Sequence, residues 1–223
     1  MIVPSGGTGI IINGGTTDAV SLRGLSIEGG GVGQKGIQFN TGASLTVDNC
    51  VIRHMTNNGI DFLSTTATSA LTLSNSPVAD NGGSGIFLFP TGSATAVFNR
   101  VEANNNAGHG IAVDGAFSAG TDTINATVSD SVAAGNVGVG FLSETLSSNA
   151  PTSLTVFHSV AANNGTGVQA LNSGATLRIA NSTLTGNTHG WQVISSGVVA
   201  SYGDNYIDGN GSNTGGLTLI PKQ

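Results

Sequence analysis

The sequence predicts an all-β solenoid that coils through about eight to nine similar rungs and forms three short parallel sheets. Three observations carry this expectation. Gly followed by a large apolar residue recurs at Gly9-Ile10, Gly36-Ile37, Gly59-Ile60, Gly85-Ile86, Gly110-Ile111, Gly140-Phe141, Gly167-Val168, Gly190-Trp191 and Gly216-Leu217, at intervals of 27, 23, 26, 25, 30, 27, 23 and 26 residues. A polar marker (Asn49, Asn75, Asn99, Asp130, His158, Asn181, Asp204) runs in phase with it. Of 223 residues, 35 are Gly and only 8% are charged, against about a quarter charged in an ordinary domain.

Each repeat resolves into three short strands. The Gly-apolar step opens one. A second precedes the marker, as in Leu45-Thr46-Val47, Leu71-Thr72-Leu73, Thr95-Ala96-Val97 and Leu154-Thr155-Val156; its alternation sends neighbouring side chains to opposite faces. A third follows the marker, as in Val51-Ile52 and Val160-Ala161. Coils of this kind stack at about 4.8 Å. The marker column is expected to form an Asn ladder, its amides turned toward the core and bonded to their neighbours above and below. No segment is long enough for the crossover helices of a doubly wound fold.

Composition narrows the class further. Sparse charge excludes a helical bundle, and 38% regularly spaced hydrophobic residues exclude disorder. Five Pro without a three-residue Gly period exclude collagen. No apolar run approaches 18 residues, so no membrane insertion is expected. We expect one domain over residues 1–223. The chain opens Met-Ile-Val-Pro-Ser-Gly-Gly, partway into a repeat and without a leader pattern, so truncation or processing is expected. Cys50 is the single cysteine and can form no intrachain disulfide. A charge-poor surface rich in Asn and Thr points to a secreted or cell-surface protein.

These columns resemble the right-handed parallel β-helix repeat proteins of the pectate-lyase-like superfamily, above all its short bacterial members with Gly-Ile strands and Asn-Gly turns. The resemblance covers about residues 9–217. It implies a right-handed coil, and in polysaccharide-cleaving members a cleft along the sheet that begins with Gly-Ile. The superfamily includes lyases, hydrolases and adhesins, so it leaves activity open.

Outward positions on that sheet read Gln38, Asp61, Phe87, Ala112, Leu142, Gln169 and Gln192. The bend before it carries Arg53 and His54. Equal spacing places Asp80 one rung from His54, with Asp61 and Arg53 expected nearby. A His–carboxylate pair beside a second carboxylate can perform general acid–base chemistry, and exposed bends also carry such residues for solubility alone. Gly108-His109-Gly110 resembles the Gly-His-Gly motif of polygalacturonase-type glycosidases, making His109 a further candidate. The paired Asp those enzymes require is missing one rung earlier, where Ser84-Gly85 stands. Candidate catalytic residues are therefore Arg53, His54, Asp61, Asp80 and His109. No cofactor is implied; Ca²⁺ beside Asp61 and Asp80 is the one candidate ion. His158 is read as a core-facing ladder residue bonded to Asp130.

A file of Thr46, Thr72, Ala96, Thr127 and Thr155 is expected to face outward on the marker-side sheet, beside a companion row that includes Phe98 and Phe157. Six basic residues scattered among twelve acids provide no stripe for nucleic acid. A net charge of −6 favours neutral glycans or protein surfaces over polyanions. Exposed end rungs are sheet edges open to self-association. Two functional readings follow: a glycan- or partner-binding β-helix without complete catalytic machinery, and a carbohydrate-active lyase or hydrolase with its site on the Gly-Ile face.

Overall fold

Short strands, here mostly of three to six residues, cannot hold themselves together, and each finds its partners in the equivalent strands of neighbouring rungs. The computed structural model, which describes residues 1–222, contains 24 strands and no helix, and the 22 strand pairings are all parallel. Nine strands form the Gly-Ile sheet: Thr8–Asn13, Lys35–Thr41, Ile60–Phe62, Ile86–Leu88, Ile111–Asp114, Val139–Glu144, Thr166–Leu171, His189–Ile194 and Ser212–Thr214. They stack in chain order, one per rung.

The other two strand tracks are joined into one 15-stranded sheet, where three separate sheets were expected. Thr68–Ala79 and Ser93–Glu102 run through the corner between the tracks without losing their pairing. One left-handed residue, Asn75 (φ 50°) or Arg100 (φ 53°), turns each of these strands. The last Gly-apolar step also departs from expectation. Leu217–Leu219 pairs with Val198–Ser201 of the large sheet, and Ser212–Thr214 is the ninth Gly-Ile-track strand.

Inward side chains from all tracks meet in a continuous core. Ile37, Phe39, Ile60, Phe62, Leu45, Leu71, Ile52 and Val78 are at most 1% exposed. Phe39 and Phe62 stack on adjacent rungs with centroids 4.6 Å apart and planes 5° from parallel. Each such side chain contributes roughly 1.5–3 kcal/mol through burial.

The corners share one pattern: a left-handed residue, then an inward side chain, polar on most rungs. At the corner between the large sheet's two tracks the left-handed column is Asn49, Asn75, Arg100, Asp130, His158 and Asn181. This is essentially the marker column, and it points outward. Asn, Asp and His recur there because they tolerate positive φ better than other non-Gly residues. His158 is accordingly exposed, with its Nδ1 3.7 Å from Asp130 Oδ1 at the surface, not a core-facing rung. The inward residues come next: Cys50, Ser76, Val101, Ser131, Ser159 and Ser182. Ser131 Oγ donates to the Ser129 carbonyl at 2.7 Å and accepts the Val101 N–H at 3.0 Å.

The true asparagine ladder lies at the other corner, just before the Gly-Ile strands. Asn81, Asn106, Asn136, Asn164 and Asn187 are at most 3% exposed. The Nδ2 of Asn136 donates to Asn164 Oδ1 at 2.8 Å and to the Ala103 carbonyl at 2.9 Å. Its Oδ1 accepts both the Nδ2 and the backbone N–H of Asn106, each at 3.0 Å. All four hydrogen-bonding sites of the amide are filled. The recurring Gly is explained by the same crowding: a Cβ on Gly85 would sit 2.8 Å from both Asn106 Nδ2 and the Gly110 carbonyl.

One outward file was misaligned by the sequence. Val97 pairs with Thr72 and Thr127, so Val97 is outward at 47% exposure, while Ala96 and Phe98 are buried. The fourth rung places Arg100 where Asn99 was expected, and a one-residue slip exchanges the faces of a strand.

Two stability outcomes follow. Asn136→Ala leaves several buried groups unpaired and is expected to cost about 3 kcal/mol, whereas Asn49→Gly, at the exposed left-handed position, should change stability by less than about 0.5 kcal/mol; urea unfolding compares them. Cys50 is fully buried and stands in the serine column with its Sγ 3.4 Å from both the Leu25 N–H and the Asp48 carbonyl. Cys50→Ser is expected to be tolerated within about 1 kcal/mol, and the native thiol should react with a maleimide only on unfolding.

Candidate functional site

The corner carrying the asparagine ladder opens outward as a groove of about 760 Å³ lined by His54, Asp80, Asn105, Gly30, Gly135 and Val137 among others. Its rim residues include the left-handed column His54 (φ 55°), Asp80 (φ 57°) and Asn105 (φ 54°), which is why their side chains project into solvent instead of the core. His54 Nε2 lies 4.0 Å from Asp80 Oδ2, the adjacency that equal rung spacing predicts. The sequence did not single out Glu28, one rung before. Its Oε1 meets His54 Nδ1 at 2.7 Å and its Oε2 meets Arg53 Nε at 2.9 Å. Burial works to raise the Glu28 pKa, but the Gly30 N–H, His54 and Arg53 together hold it below the usual carboxylate value. Arg53 is thereby engaged as a partner of Glu28.

Asp61 does not join this group. It faces outward on the Gly-Ile sheet, 2% exposed, with Lys35 Nζ at 2.7 Å and Asn58 Nδ2 at 2.7 Å on its two oxygens. The reason is pleat geometry: Asp61 is in register with Gln38 and Phe87, whereas Asp80 sits on the bend. Asp61 and Asp80 therefore do not share a site for Ca²⁺, and no group of three or more His, Cys, Asp or Glu suited to a metal occurs among the described residues.

His109 lies on the Gly-Ile side, half-buried. Its Nδ1 accepts the Val139 N–H at 3.0 Å, so the ring proton sits on Nε2, and burial pushes its pKa below the ordinary histidine value. That hydrogen bond and burial both favour the neutral ring.

The same face carries a second constellation that sequence reasoning passed over. Asp114 and Glu144 end two adjacent strands and pair in register. They stand beside an apolar floor of Ala112, Val139 and Leu142. Asp114 is 6% exposed; its Oδ1 accepts the Ala116 N–H at 2.7 Å, and its Oδ2 takes no hydrogen bond among the described residues. Neither acid has a Lys, Arg or His partner within salt-bridge distance among the described residues. Burial raises the pKa of Asp114, and burial together with the Asp114 charge raises that of Glu144.

Three aromatic rings flank the pair. Phe87 and Phe89 lie with centroids 4.4 Å apart, and Phe117 packs on Phe89 at 5.5 Å while remaining 62% exposed. Phe117 belongs to the insertion 115–123, which is tied to the next rung's insertion 145–151. An antiparallel bridge joins Ala119 to Asn149, and the Ser118 carbonyl accepts Asn149 Nδ2 at 3.1 Å. Ser118 Oγ anchors this lip to the Pro90 and Gly92 carbonyls at 2.8 and 3.0 Å. The signal was in the sequence: the 30-residue interval between Gly110 and Gly140, with an acid at the outward position just before each insertion.

Coil, corner ladder and outward face together define a right-handed β-helix. The family described as "Right handed beta helix region" matches residues 8–188, and the chain belongs to it. No curated protein matches the chain. Among solved structures, the A-module of Azotobacter vinelandii mannuronan C-5 epimerase AlgE4 is similar, with a TM-score of 0.50 at 18% identity over 91% of this chain and 74% of that one. At that identity the likeness is one of fold.

The acid pair sets a pH dependence. With pKa values raised by folding, the native protein retains protons that the unfolded chain has released, so stability falls as pH rises from the unfolded carboxyl values to the folded ones and stays lowered above them. Glu144→Gln removes this term. The variant is expected to melt above the wild type near pH 7, with the gap closing near pH 3, as thermal unfolding at the two pH values will read.

Proposed function

We propose that this chain is a glycan-binding β-helix, acting outside the cell or at its surface, that seats a neutral polysaccharide along its Gly-Ile face. The observation that carries this reading is the aromatic platform of Phe87, Phe89 and Phe117. A polar chain leaves Phe117 62% exposed on a lip that is hydrogen-bonded in place. A sugar ring presents an apolar C–H face that stacks on an aromatic π-face. Gln169 and Gln192 continue the face, joined by a 2.8 Å hydrogen bond that leaves the half-buried Gln192 Nε2 for a sugar hydroxyl.

Charge supports a neutral ligand. Asp114 and Glu144 would repel a uronate at close range. Of the six basic residues, Arg23, Lys35, Arg53 and Lys222 are already paired with carboxylates. That distribution also disfavours nucleic acid. The mannuronan epimerase module shares the coil, and the glycan reading does not lean on its substrate.

Phe117→Ala is expected to weaken binding to a soluble neutral glycan about tenfold, equivalent to about 1.4 kcal/mol. Phe157→Ala, on the other sheet, should leave it unchanged. Affinity electrophoresis against xylan, glucomannan, mixed-linkage β-glucan and starch reads both. Failure of the wild type to bind any of them overturns the proposal.

A further inference from the structure

We infer that Asp114 and Glu144 form a hydrolytic carboxylate pair that cleaves the glycosidic bonds of a neutral polysaccharide, Asp114 as nucleophile and Glu144 as general acid. This rests on the glycan-binding reading of the same face.

The geometry has three parts. The two residues are register partners on neighbouring strands, and strands in a sheet lie about 4.8 Å apart. Glycosidases that retain anomeric configuration hold their two carboxyl groups about 5–5.5 Å apart, whereas inverting enzymes need about 6.5–9.5 Å to admit a water. The two backbones stand one such spacing apart, nearest the retaining class, to which we assign the pair.

Next, the two acids differ in surroundings in the way two roles require. Asp114 is more than nine-tenths buried, with its Oδ1 held by the Ala116 N–H. That hydrogen bond opposes the burial that raises the Asp114 pKa, and it leaves Oδ2, which has no partner among the described residues, to attack. The Glu144 carboxyl receives no hydrogen bond among the described residues and sits beside that negative charge. Burial and the Asp114 charge both raise its pKa, the direction a general acid needs.

Finally, the pair is placed to meet a sugar. The aromatic platform lies on the N-terminal side of Asp114, and the tied insertions 115–123 and 145–151 border both acids. A chain stacked on Phe89 and Phe117 would pass a glycosidic oxygen over the two carboxyls. Asp61, the acid in the outward file of this face, is neutralised by Lys35, and this pair is not.

The chemistry balances with water alone. Asp114 adds to the anomeric carbon as the glycosidic C–O bond breaks, and the Glu144 proton passes to the departing sugar oxygen. This leaves an ester between Asp114 and the sugar. Water then delivers its oxygen to the anomeric carbon and a proton to Glu144, and the ester electrons return to Asp114. One water is consumed, nothing is oxidised or reduced, and both side chains are regenerated.

The test measures new reducing ends from the same four polysaccharides, using wild type, Asp114→Asn and Glu144→Gln, with binding measured in parallel. The expected result is slow turnover of a bound glycan by wild type and loss of at least about 100-fold in each variant, with binding and cooperative melting retained. Proton NMR of the first product should show retained anomeric configuration. Binding without turnover by the wild type, turnover that survives both substitutions, or inverted product overturns the pair as a retaining site while leaving the glycan-binding reading intact. Loss of binding in the wild type removes both.

Discussion

Every feature of this molecule depends on rungs stacking in register, and the interaction that enforces register is the buried asparagine ladder. An amide turned into an apolar core must fill two donors and an acceptor or cost several kcal/mol. Asn136 fills them only when Asn106 and Asn164 lie one strand spacing away and the Ala103 carbonyl lies opposite. A shifted rung would break these bonds in both neighbours at once. The serine column performs the same task at the second corner, bonding back to its own strand and accepting the N–H of the preceding rung.

Register in turn determines what the outer faces can be. Residues at equivalent positions become neighbours, so like charges in one column would repel at close range. This accounts for a surface of Asn, Ser, Thr and Gly with only 8% charged residues. Against that background an unneutralised pair such as Asp114 and Glu144 stands out physically: it costs stability, and its neighbours have not compensated it. Stability surrendered locally at a site with aromatic flanks is the usual mark of a place where chemistry or binding is favoured over folding.

The periodic features were readable because periodicity is a property of sequence. The Gly-Ile column as far as Gly190-Trp191, most of the alternating strands and the outward file from Gln38 to Gln192 appear in register, and His54 lies near Asp80. The ladder was assigned to the wrong corner, since both corners contribute a polar residue once per rung. A left-handed Asn exposed to water and a buried Asn in a stack look alike on paper. Phe98 was turned outward for a related reason, a one-residue difference in the fourth rung that only strand pairing reveals.

What the amino-acid order determined by itself is the coil: the repeat length, the parallel stacking, the apolar interior and the absence of strong charge, because each arises from local spacing. What the tertiary structure decided is which irregular residues meet. Glu28 reaches His54 from one rung away, Asp61 is sequestered by Lys35, and two insertions lock together beside Asp114 and Glu144. Those contacts join residues more than twenty positions apart whose side-chain directions depend on bends. Loops of unequal length carry no period from which such meetings could be read, and only the folded chain brings them onto one face.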